Sequence, residues 1–166
     1  MLTVSQTNDG DYKSIRAALL ALESDPALER KLFIRNGTYR EHLEIRIPNL
    51  TITGEDATQT IVSGGLNARM VLPDKTERGT FRTYTMLVNS NHVTLKNLTV
   101  ENTSGDGRRV GQAVALYVGG DHFTALNCRL LGHQDTLFTG PLPETVKEQV
   151  SAFSRPEVLS ANRFPQ

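Results

Sequence analysis

The chain has 166 residues, 38% of them hydrophobic, and its 18 basic and 18 acidic side chains cancel. That is the usual size of one domain with room for one sizeable core, and interspersed charges of both signs build no field that would attract nucleic acid or an anionic membrane. Cys128 is the single cysteine, so an intrachain disulfide and a CxxC metal or redox pair are both excluded.

The N-terminus MLTVSQTNDGDYK lacks a basic region followed by an apolar run, and no later segment reaches the ~18 apolar residues needed to cross a bilayer. As written, the chain is expected to be soluble and cytoplasmic. After Asp11, the stretch DYKSIRAALLALESDP places Ile15, Ala18, Leu19 and Leu22 on one helical face, with Pro26 just past the end. A helix is therefore expected between Asp11 and Pro26. From there the period changes to two: LFIRNG, LEIRI, LTITG, TIVSG, YTMLV, HVTLKNLTVEN, AVALYVGG and HFTALNCRLLG are short runs rich in β-branched residues, separated by Asn, Gly and Asp.

These runs also resemble one another. Laying HVTLKNLTV over HFTALNCRL matches the apolar positions and superimposes Asn97 on Asn127, and NLTITGED repeats the pattern less fully. A recurring strand, bend, strand unit without long intervening helices predicts coils that stack and bury their inner faces on each other, a parallel β-helix. An antiparallel β-sandwich is the competing reading, but it wants tight two-residue hairpins, and few Asn-Gly or Asp-Gly turns sit between alternating strands. The end coils of a solenoid expose edges and apolar interiors unless covered, and the Asp11 to Pro26 helix is placed to cap the N-terminal end.

Polar residues interrupt two apolar runs: Gln112 in VGQAVALYV, and Gln134 with Asp135 in LGHQDTLF. On adjacent coils ~4.8 Å apart such positions can lie side by side. Asp135 could then give or take a proton, and the two amides could stabilise a developing oxyanion. The same residues would equally satisfy backbone groups at solenoid bends. No GxSxG elbow and no HExxH spacing occur; among the four histidines, His92 and His122 share a repeat position and read as structural, while His133 neighbours Gln134 and Asp135. Sequons begin at Asn36, Asn49, Asn97 and Asn102, as a chain rich in Asn and Thr yields by chance.

The ordered motifs GTYRE, GTFRTYT, NLTVENTSG, GQAVALYV and GHQDTLF resemble the pectin methylesterases (pectinesterases), most closely their bacterial members, up to about Pro141. The resemblance implies a right-handed parallel β-helix that hydrolyses methyl esters of galacturonate in pectin without a metal or organic cofactor. In that family one aspartate attacks the ester, a second acts as acid and base, glutamines hold the oxyanion and an arginine orients the nucleophile. Carried over, Asp135 matches the acid/base and Gln112 and Gln134 the oxyanion amides. Thr80 and Phe81, together with Gln112, match positions that line the sugar groove; Phe81 would stack on a sugar or else fill a core.

The family's DFIFG-like nucleophile motif and LGRPW-like arginine motif are absent. After Thr136 the acids are Glu144, Glu148 and Glu157, and Arg155 and Arg163 lie outside any motif. The expected organisation is thus the N-terminal part of a pectinesterase β-helix over residues 1–141, apparently truncated, and a divergent tail over 142–166 that is a loop or short helix. Two functions follow as expectations: a pectinesterase lacking its nucleophile, and a non-catalytic binder of pectin or oligogalacturonate. Self-association through the exposed end of the solenoid is a further expectation. A pectate lyase or polygalacturonase would need acidic clusters that the sequence does not show. Members of this family usually act outside the cell.

Overall fold

In the computed structural model, residues 1–140 are described. β1 (Leu2–Val4) leads to α1 (Ile15–Ser24), and strands then arrive in threes: β2 (Lys31–Ile34), β3 (Gly37–Arg40) and β4 (Leu43–Ile45); β5 (Thr51–Gly54), β6 (Thr60–Gly64) and β7 (Met86–Val88). Two more sets follow: β8 (Thr94–Lys96), β9 (Thr99–Asn102) and β10 (Leu116–Val118); β11 (Thr124–Leu126), β12 (Arg129–Leu131) and β13 (Leu137–Thr139). Each set is one coil that gives one strand to each of three sheets, ordered β1-β2-β5-β8-β11, β3-β6-β9-β12 and β4-β7-β10-β13. Every strand pairing is parallel. The architecture is the right-handed parallel β-helix that the repeats predict.

Register explains why the repeats read as they do. Leu32, Ile52 and Leu95 stack in the first sheet, Tyr39, Val62 and Val100 in the second, and Leu43, Met86 and Leu116 in the third, all buried. Each such side chain contributes ~1.5–3 kcal/mol of hydrophobic stabilisation, so a one-residue slip would turn a whole column outward.

The corners use residues that tolerate the left-handed region. Asn49, His92 and His122 enter the first sheet at φ 59°, 57° and 52°, and Asn97 and Asn127 leave it at 52° and 50°. Asn127 Nδ2 donates to Asn97 Oδ1 at 2.9 Å, and the His92 and His122 rings stack at 4.5 Å and 6°. One coil earlier the asparagine column gives way to Gly54, where a Cβ would collide with the Asn97 carbonyl oxygen. That substitution is why the motif fades in NLTITGED.

The helix is shorter than the stretch between Asp11 and Pro26. Ser14 is its N-cap, accepting from Ala17 N at 3.2 Å, and the Glu41 carboxylate takes the N–H groups of Ile15 and Arg16 at 2.9 Å each. Asp11 instead accepts from Thr3 N at 2.7 Å, tying down β1. Ile15, Ala18, Leu19 and Leu22 are buried, and α1 packs on β1 and β4, closing the N-terminal end. β1, β3 and β13 were not anticipated as strands, being too short or too polar for period two to show. The tail 142–166 lies outside the described residues.

Candidate active site

Two long excursions, 65–85 and 103–115, leave the solenoid at the same corner of successive coils, between the second and third sheets. The first carries a single 3₁₀ turn (Thr80–Arg82), the second a short helix, α2 (Gly107–Val110), capped by Asp106, which accepts from Arg108 N at 2.9 Å. They are sewn together by backbone: Ala68 N donates to Gln112 O at 2.9 Å and Arg69 N to Val110 O at 3.3 Å. Asn102, only 3% exposed, donates through Nδ2 to the carbonyls of Leu66 (2.9 Å), Thr83 (3.0 Å) and Val114 (3.1 Å), joining both ends of the first excursion to the second. It cannot serve as a sequon.

Gln112 is half-buried, and the next residue, Ala113, donates its N–H to Gln134 O at 3.1 Å. The coils thus bring Gln112 and Gln134 onto neighbouring turns, just ahead of the Leu116 and Leu137 pair. The Gln134 side chain lies on Gly107, where any Cβ would collide with it. Asp135 is exposed at φ 58°, a left-handed conformation a carboxylate residue adopts with some strain. His133 is exposed near Asp106, whose carboxyl is held below its ordinary range first by the Arg108 side chain and least by His133.

Thr80 and Phe81 sit on the 3₁₀ turn, both half-buried. The Thr80 carbonyl accepts from Thr83 Oγ1 at 2.7 Å, fixing the turn, and Thr83 Oγ1 in turn accepts from Val114 N at 3.0 Å. The Phe81 ring lies 5.1 Å from Phe138, and Phe138 meets Tyr117 edge-on at 4.9 Å, with Tyr84 beyond at 6.3 Å. Phe81 and Phe138, both half-buried, therefore pack against a small core cluster that contains Tyr117 and Tyr84. Sequence reading missed Tyr117 and Phe138; both fall on the outward positions of their strands, in register with each other, a signal that alternation contains but that period-two reading assigns to solvent. Burial pushes the phenols of Tyr84 and Tyr117 above the ordinary tyrosine value.

No group of three His, Cys, Asp or Glu among the described residues could hold a metal ion. A cavity of about 450 Å³ at the N-terminal cap, lined by Lys13, Arg16, Arg40, Glu41 and His42 among others, shares no lining residue with this site. The Glu41 carboxylate there is committed to the start of α1.

The profile of the Pectinesterase family matches residues 1–143. A pectinesterase of Petunia integrifolia is 35% identical over 138 residues, covering 82% of this chain and 35% of its own length. Pectinesterase 1 of Solanum lycopersicum is 32% identical over 137 residues, covering 81% of this chain and 24% of its own. The solved pectin methylesterase of Erwinia chrysanthemi superposes with a TM-score of 0.72 at 29% identity, over 83% of this chain and 45% of that one. The chain therefore spans less than half the length of these relatives. Stacked parallel coils and a profile match covering most of the chain together place it in the Pectinesterase family.

Proposed function

We propose that the chain carries the acid/base and oxyanion half of a pectinesterase site, directed at methyl-esterified galacturonate in pectin. The observation that supports this best is that Gln112 lies on the coil next to Gln134 and Asp135, where Ala113 N donates to Gln134 O at 3.1 Å, with the half-buried rings of Phe81 and Phe138 5.1 Å apart. Sugar rings present apolar C–H faces that suit an aromatic surface. When a carboxylate attacks the ester carbonyl, negative charge collects on the carbonyl oxygen, where the amide N–H groups of Gln112 and Gln134 would donate to it. Asp135 in its acid form would then pass a proton to the departing methoxide, releasing methanol. In the second half it would accept a proton from the water that hydrolyses the acyl group.

The attacking carboxylate and its orienting arginine have no counterpart among the described residues, and the sequence lacks the family motifs that carry them. Asp135 is also exposed, with no side-chain hydrogen bond or ion pair among the described residues, whereas carboxylate catalysis gains most where water is excluded. The 166-residue polypeptide is therefore expected to bind methylated pectin without turning it over. A related pectin methylesterase has been solved in complex with a hexasaccharide, which supports saccharide binding as the retained property. The test is methanol release from highly methylated pectin by the purified polypeptide beside Asp135→Asn, with binding measured in parallel. Binding without methanol in both is expected. Methanol release that vanishes in Asp135→Asn would show that a complete site forms, and absence of binding would remove the pectin reading itself.

A further inference from the structure

The charges around the cavity of about 450 Å³ at the N-terminal cap do not balance. Lys13, Arg16 and Arg40 line it, with Glu41 as the one carboxylate among the described lining residues. Both oxygens of that carboxylate accept from the start of α1, one from Ile15 N and one from Arg16 N, at 2.9 Å each. Asp11, two residues before Lys13, is occupied by Thr3 N at 2.7 Å. Arg40 shares its column with Ser63 and Glu101, and Ser63 Oγ donates to the Glu101 carboxylate at 2.8 Å, so the acid two strands along is engaged too. Arg16 Nη2 donates to the His42 carbonyl oxygen at 2.7 Å, which holds the guanidinium at the cavity wall. Lys13 and Arg40 are exposed, and among the described residues neither forms an ion pair. His42 is half-buried beside them, its Nδ1 3.3 Å from the Tyr84 carbonyl oxygen. Burial holds its imidazole below the ordinary histidine value, and the guanidiniums of Arg78 and Arg16 push the same way, so the field at the ring is positive.

We propose that this cavity binds a small ligand carrying a carboxylate or phosphate group, held by Lys13, Arg16 and Arg40, independently of Gln112, Gln134 and Asp135. Pockets of roughly 300–1,000 Å³ take small molecules, so there is room for the anionic group and for a body of about one sugar ring. Arginine meets either group with parallel N–H donors, and lysine adds a point charge. The first N–H groups of α1 are not the donors, because Glu41 and Ser14 hold them. An anion in the cavity would offset the field on His42, and by linkage the ligand binds more tightly when that ring is protonated.

The experiment titrates the 166-residue polypeptide with inorganic phosphate, sodium galacturonate and neutral galactose at constant ionic strength, following the His42 imidazole resonances by NMR. The Lys13→Gln/Arg40→Gln variant is run alongside; both side chains are exposed, and a cooperative melt verifies that it folds. The expected result is a saturable shift with an anion and none with galactose, with tighter binding at about pH 6 than at about pH 8. The variant should bind the anion about tenfold more weakly, the scale of two exposed ion pairs. Saturation by galacturonate alone, by phosphate alone or by both supports the site and identifies which anion it takes. No saturable shift with either anion, an equal shift with galactose, or a variant that binds as the parent does overturns the proposal.

Discussion

Asn102 ties together the two excursions that flank the candidate site. Its amide reaches three carbonyls belonging to the two excursions, and its Oδ1 accepts from Ser104 N at 3.1 Å, so one buried side chain fixes the roots of both loops that surround Gln112. Asn102→Ala would take a donor from the buried Thr83 carbonyl and the part-buried Leu66 carbonyl, while the Val114 carbonyl keeps Thr85 N, at ~1–3 kcal/mol for an unsatisfied buried group. The expected outcome is a loss of about 2–4 kcal/mol in urea unfolding, together with weakened pectin binding. A change below ~0.5 kcal/mol, the range of ordinary surface substitutions, would mean the excursions are held by their backbone ties alone. Asp135 shows the opposite economy: it occupies a strained left-handed φ of 58° and forms no polar side-chain contact among the described residues.

At the scale of elements, the corners decide how well coils stack. His92 and His122 hold the position that Asn49 holds one coil earlier, with the same positive φ. Asn is at ease in that conformation and β-branched residues are not. His92→Asn is therefore expected to stay within about 1 kcal/mol of the parent, losing mainly the ring contact with His122. His92→Val should cost about 1–2 kcal/mol more, and thermal melts of the two variants check the ordering. Equal melting would indicate that the ring stack, not the backbone, fixes the corner.

The same corners account for what could be read from sequence. The coil stacking was legible because Asn97 over Asn127 and His92 over His122 recur at one offset and their inward neighbours keep the same apolar character. The helix was legible from Ile15, Ala18, Leu19 and Leu22, though the help that the distant Glu41 gives to its Ser14-capped start was not. Gln112, Gln134 and Asp135 stood out as polar residues inside apolar runs. Tyr117 and Phe138 did not, since an outward aromatic on a strand reads as solvent-facing until the first excursion is seen to fold Phe81 over it.

At the scale of the whole molecule, the two ends differ. α1 covers the N-terminal coil, whereas β11, β12 and β13 each end their sheet among the described residues. Leu126, Leu131 and Leu137 are 49%, 39% and 51% exposed there, and Leu137 sits in the column that buries Met86 and Leu116 in earlier coils. Unpaired parallel edges with apolar side chains beside them recruit further strands. The 166-residue polypeptide is accordingly expected to self-associate with rising concentration, seen by light scattering coupled to gel filtration. A monodisperse monomer across the range would show that this end is covered in solution.

The coil repeat bears on how the protein emerges from the ribosome. Each strand pairs with one laid down earlier in the chain, Thr51 on Lys31, Thr94 on Thr51 and Thr124 on Thr94, so no coil waits for sequence yet to be synthesised. A nascent chain can therefore wind from the α1 plug forward, each finished turn serving as the template for the next. Gln112, on the turn before β10, is thus laid down one coil ahead of Asp135, on the turn before β13.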